Sequence, residues 1–295
     1  MTMETEEILI EKVIKSRRID EVIDVNNFKE EYRKLFKRIH PDICKHPKAS
    51  IASSKLLELK DKFENGVTLK DESGNFNYKG MDTVYSGDFD FLKTSYANYN
   101  KLMGFYDKAS ENFKKYLPKT MSFSGNTLNV KYNHRCLPLT GLTLPQEHVN
   151  WIFSRMLEYA AWMEQQGYAH CGINPESIFV IPENHGIQVS SFYMMTKLGT
   201  KPEGISGMYQ TWYPPKLFST KKADASIDVE LCTKTAIYLL GDKSGTGIKL
   251  KKDASINQPI LEFLIASHDS SLTAFKEYRE LLGKHFAKRF IPLDL

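Results

Sequence analysis

His40, Pro41 and Asp42 follow one another between two helical patterns and put an imidazole and a carboxylate on a short loop. With Cys44 and His46 beside them, the first chemistry to weigh is metal binding, since imidazole and thiolate suit zinc. No fourth ligand stands close by to complete a structural site, so no metal is expected and the loop reads as a recognition element. A second run with chemical potential is HCGINPESIFV, residues 170–180, which carries imidazole, carboxylate and hydroxyl groups.

The elements that position the first run are legible from spacing. Phe28, Tyr32, Leu35, Phe36 and Ile39 recur at helical intervals, while Lys29, Arg33 and Lys37 form an i, i+4, i+8 stripe elsewhere on the surface. Pro41 ends that helix, and Ala52, Leu56, Leu59 and Phe63 mark a second one after the loop IHPDICKHPKAS. A short helix-like segment, DEVIDV, precedes the first.

A basic amphipathic helix, an HPD loop and an apolar helix in that order resemble the J-domain of heat-shock co-chaperones over about a fifth of the chain. The resemblance implies that His40, Pro41 and Asp42 dock on a DnaK-type chaperone ATPase and promote ATP hydrolysis. Lys29, Arg33, Lys34, Lys37 and Arg38 would be the basic surface that meets an acidic one on the chaperone.

Downstream, VTLKDESGNFNYKG and TVYSGDFDFLKTSY alternate apolar and polar residues around Asp, Ser, Gly and Asn turns, the pattern of antiparallel strands. Residues 98–115 predict a helix, and LPKTMSF and NTLNVKYN predict two more strands. Val149, Ile152, Phe153, Met156, Leu157, Ala160 and Met163 mark a long apolar helix ending at Gly167, followed by two short strands around a PENHG turn and then by largely helical chain.

In that setting HCGINPESIFV resembles the catalytic loop of protein kinases, HRDLKPENIL. WYPPKLF resembles the end of an activation segment, and SIDVELCTKTAIYLLGD the buried helix that follows it. The resemblance covers nearly all of the second part of the chain, and it implies where phosphoryl-transfer groups should stand. Gly172 replaces the catalytic-loop aspartate, Ser177 the metal-binding asparagine, and Ser191, Phe192, Tyr193 the DFG motif. Serine is a poor magnesium ligand beside carboxylate, so these changes imply a pseudokinase without conventional activity. Lys93 stands like the phosphate-pairing lysine, on a strand, with Glu111 or Asp107 as its partner on the next helix. His170 and Asp228 are expected to brace the loop through hydrogen bonds. No GxGxxG precedes them, which implies weak ATP binding at most and no required cofactor. Tyr209, Trp212 and Tyr213 are expected to pack the end of the activation segment.

The bulk numbers agree with a two-part globular chain. At 295 residues it exceeds one ordinary core, and 41% hydrophobic residues with 26% charged ones exclude a disordered or fibrous class. A net charge of +4 is too small an excess to imply nucleic acid as a partner. Four cysteines without a CxxC pair, an acidic N-terminus and no long apolar run point to a cytoplasmic protein with no membrane partner. The expected fold is therefore α+β. A small helical J-like domain (1–64) precedes a bilobal kinase-like domain with an antiparallel sheet lobe (65–140) and a helical lobe (141–295). The expected function is a co-chaperone adaptor that recruits a DnaK-type ATPase and holds an unknown protein client. The alternatives are an atypical protein kinase using Lys93 and Glu176, or a nucleotide-sensing scaffold.

Overall fold

Thr5 opens the first helix, α1 (Glu6–Lys15), by accepting a bond from Ile8 N at 3.5 Å. Glu6 and Glu7 in its first turn and Lys12 and Lys15 in its last complement the helix dipole. In this computed structural model, which describes residues 5–286 and 291–293, the chain falls into two compact units with the break after Val67.

The first unit is helical. Single 3₁₀ turns at Ile19–Glu21 and Val25–Asn27 lead into α2 (Phe28–Ile39), and α3 (Ala49–Asn65) follows the loop. Helix α2 stops because His40 precedes proline and takes an extended conformation, φ −63° and ψ 134°. Leu9, Ile10 and Val13 of α1, Leu35 and Ile39 of α2, and Leu56 of α3 form its core. Phe28, Tyr32, Phe36 and His40 stack along one edge of α2 at i, i+4 spacing, with neighbouring ring centroids 5.2–5.8 Å apart.

At the break stands β1 (Val67–Asp71), followed in the second unit by β2 (Gly74–Lys79) and β3 (Asp82–Gly87) and, after two helices, by β4 (Thr120–Ser124) and β5 (Thr127–Lys131). These make one five-stranded sheet in the order β1-β2-β3-β5-β4. The pairs β2–β3, β3–β5 and β4–β5 run antiparallel. Phe76 opposite Tyr85, and Tyr85 opposite Leu128, put three buried side chains in one row across it.

Between β3 and β4 lie α4 (Phe89–Met103) and the short α5 (Lys108–Phe113). The strand pattern expected through residue 96 ends instead at Gly87, because Asp88 caps α4 by accepting from Phe91 N at 3.0 Å. The single helix expected over 98–115 is interrupted at Gly104, and Asp107 caps α5 through Ser110 N at 2.9 Å.

The rest is mainly helical: α6 (Gln146–Gln165), α7 (Pro215–Thr220), α8 (Ser226–Leu239), α9 (Gln258–Ile265) and α10 (Ser271–His285). Helix α10 packs on α6 through Tyr278, whose ring meets Phe153 at 4.6 Å and whose hydroxyl donates to Asn150 Oδ1 at 2.9 Å. Short strands complete it: β6 (Leu137–Pro138), β7 (Tyr168–Ala169), β8 (Ile178–Ile181), β9 (Gly186–Val189) and β10 (Thr196–Lys197). The fold is thus a mixed α and β one with an antiparallel sheet, and among the described residues no helix is long and apolar enough to cross a membrane.

Candidate functional site

In the first unit the loop after α2 displays its carboxylate. The Asp42 side chain is 85% exposed, and the loop is pinned by three backbone bonds. Ile43 N and Cys44 N donate to His40 O at 2.9 and 2.8 Å, and Asp42 N donates to His40 Nδ1 at 3.3 Å. Ser53 of α3 anchors the base of the loop by donating to Ile39 O at 3.0 Å. The His40 ring is turned onto Phe36, so it fixes the loop from inside while Asp42 faces water.

Lys29, Arg33, Lys34, Lys37 and Arg38 are all exposed on α2. Lys34 is engaged on its own helix, with Glu30 at 2.7 Å and Glu31 at 3.2 Å. The ring nitrogen of His46 accepts from Lys48 N at 3.2 Å, and the buried Cys44 thiol lies 3.6 Å from Glu6. Both groups are thus engaged within the chain.

In the second unit the loop between β7 and β8 is held from below by α8. Asp228 accepts from His170 N at 2.6 Å and from Cys171 N at 2.8 Å. Burial pushes its carboxyl up to about 6, against the pull of those two N–H groups. Cys171 takes the left-handed conformation at φ 59°, and its carbonyl accepts from Tyr213 OH at 2.6 Å. The His170 ring is fully buried. Nδ1 accepts from Gly172 N at 3.2 Å, so Nε2 carries the proton and donates to Ser190 O at 3.1 Å. Burial drives this imidazole down to about 4, keeping it neutral.

Gly172, Ser177 and Ser191 are each engaged in packing or bonds within the chain. A Cβ on Gly172 would lie 3.3 Å from Met194 Sδ, which packs over that position. Ser177 Oγ accepts from Asn174 N at 3.0 Å and closes the loop on itself. Ser191, left-handed at φ 61°, donates to Asp71 Oδ2 at 2.9 Å. Ser95 and Asn98 of α4 hold the next residue, with Phe192 N donating to Ser95 Oγ at 3.0 Å and Asn98 Nδ2 donating to Phe192 O at 2.9 Å.

One expected position is corrected. Lys93 is exposed on helix α4 and not on a strand, since the Asp88 cap starts the helix five residues earlier. Glu111 sits on α5 and pairs with Lys114 at 2.5 Å, three residues on, so its carboxylate is engaged within its own turn of chain. Residues not singled out from sequence but central to the geometry are Asp71, Glu72 and Met194. Nothing local marks them, because each acts through partners more than a hundred residues away or, for Met194, through a loop folded back over Gly172. Tyr209 packs on the buried Trp212 at 4.3 Å, and Trp212 Nε1 donates to Ser244 O at 3.0 Å.

No protein-family model matches the chain, and no curated protein matches it. The functional reading therefore rests on the residues themselves.

Proposed function

We propose that the chain is a co-chaperone adaptor. Its first unit, J-like, recruits a DnaK-type chaperone ATPase through His40, Pro41 and Asp42 and the basic face of α2. Its second unit, a kinase-like fold without catalytic groups, holds the protein client. The observation that carries this reading is the exposed Asp42 carboxylate on a loop pinned between α2 and α3, with Lys29, Arg33 and Lys37 exposed along the adjoining helix. Such a display suits an acidic or cation-bearing partner surface, where charge complementarity steers association and fixes orientation. Tethering a client beside the chaperone then works by effective concentration, with no covalent chemistry asked of the second unit.

Support for a non-catalytic second unit comes from Gly172, Ser177 and Ser191, each engaged in packing or in bonds within the chain. The direct test is association with a DnaK-type chaperone, measured for the native chain and Asp42→Asn. That substitution keeps the shape of an exposed side chain and removes its charge. The expected result is binding weakened by roughly tenfold or more; unchanged binding would remove the HPD loop from the account.

A further inference from the structure

We infer that the turn between β1 and β2 is a built-in clasp that holds the sheet of the second unit shut against residues 190–208 and leaves no room for a nucleotide. Asp71 and Glu72 divide the task. Asp71 is buried; it accepts from Ser73 N at 2.8 Å and Ser73 Oγ at 2.6 Å on its own turn, and from Ser191 Oγ at 2.9 Å across the gap. Glu72 accepts from Ser206 Oγ, from Met208 N at 3.3 Å and from Tyr193 OH at 3.5 Å. Two carboxylates thus bind a single stretch of chain through four donors.

The turn is pressed close to the sheet. A Cβ on Gly87 would lie 2.0 Å from Ser73 O, and one on Gly74 would lie 2.4 Å from Ser86 O, so only glycine fits at either place. Asp88 N also donates to Ser73 O at 2.7 Å. Behind the turn, Phe76, Tyr85, Tyr132 and Phe179 are all buried. The Phe76 ring meets those of Tyr85 and Phe179 at 5.2 and 6.1 Å, and Tyr132 meets Phe179 at 4.9 Å. The Tyr85 hydroxyl lies 2.8 Å from Ser190 Oγ. What remains is a depression lined by Ser73, Tyr85, Leu92, Ser191 and Tyr193, with no internal space for a small molecule.

Both size and sign oppose a nucleotide. The aromatic rings fill the space behind the turn, and the carboxylates of Asp71 and Glu72 would repel phosphates. The nucleotide question rests on the kinase-like reading of the second unit, while the clasp stands on the bonds of Asp71 and Glu72 and is independent of the chaperone reading. The experiment uses the full chain. Magnesium–ATP and metal-free ATP, each at millimolar concentration, are expected to leave the melting temperature unchanged; a saturable rise with either would overturn the inference. Glu72→Ala, a half-buried site that spares the aromatic cluster, is expected to speed amide exchange over residues 204–209 by roughly tenfold. Exchange there at the native rate would overturn the clasp even if ATP does not bind.

Discussion

The carboxylate of Asp228 on α8 holds the loop that begins at His170 by accepting from two consecutive backbone N–H groups, at 2.6 and 2.8 Å. Both donors and the acceptor are buried, so the loop's conformation is tied to a single side chain 58 residues away.

Removing that side chain leaves two buried N–H groups without partners. Asp228→Ala is expected to destabilise the second unit by about 4 kcal/mol, at about 2 kcal/mol for each orphaned donor. Urea unfolding followed by near-ultraviolet circular dichroism measures it. A loss below about 1 kcal/mol would mean that the loop is held by other contacts.

His170 gives the second unit a component of stability that acid removes. Its folded value of about 4 lies below the ordinary 6.5, so the stabilisation is complete above pH 6.5 and disappears as pH falls toward 4. Asp228 has the opposite sign: raised to about 6, its contribution is present below 3.8 and is lost as pH rises through 6. A variant difference isolates the histidine. The advantage of the native chain over His170→Gln is expected to shrink by up to about 3 kcal/mol between pH 7 and pH 4. A pH-independent difference between their urea midpoints would contradict the buried neutral imidazole.

On the proposed kinase-like reading of the second unit, a carboxylate placed at position 172 should not create phosphotransfer chemistry. In Gly172→Asp the new side chain meets Met194, whose sulfur would be 3.3 Å from its Cβ. The expected result is a loss of about 1–3 kcal/mol from overpacking and no transfer of labelled phosphate from ATP to protein. Transfer above background would show that the loop lacked only its acid.

In the first unit Leu56 is fully buried beneath α1 and α2. Leu56→Ala is expected to cost about 3 kcal/mol, from lost burial and a cavity. The exposed Leu57→Ala serves as control with little change. Equal effects of the two would contradict the assignment of the core face of α3.

The sequence made some of this visible and hid the rest for physical reasons. Helix α2 and its stop were legible because Phe28, Tyr32, Leu35 and Ile39 keep strict helical spacing and Pro41 punctuates them. The apolar stripe from Val149 to Met163 likewise revealed α6, and the PENHG turn revealed the hairpin of β8 and β9. Helix α1 was hidden, since ten residues with three buried positions give a weak pattern and its acidic start reads as a tail. Lys93 was misplaced because the alternation in DFDFLK imitates a strand, while the Asp88 cap that overrides it is one residue. Within the candidate site, the identities at 172, 177 and 191 were readable. That Met194 covers Gly172, and that Asp71 reaches Ser191, depends on pairings 22 and 120 residues apart that no local pattern encodes.

The account's central claim is tested most directly by single-turnover ATP hydrolysis by a DnaK-type chaperone, with and without this protein and its His40→Gln variant. His40 holds the loop through its contacts with Phe36 and Asp42 N, so the substitution disturbs the display of Asp42 while leaving α2 and α3 in place. The account predicts stimulation by the native chain and its loss in the variant. Hydrolysis unaffected by the native chain, or stimulated equally by both, would contradict it.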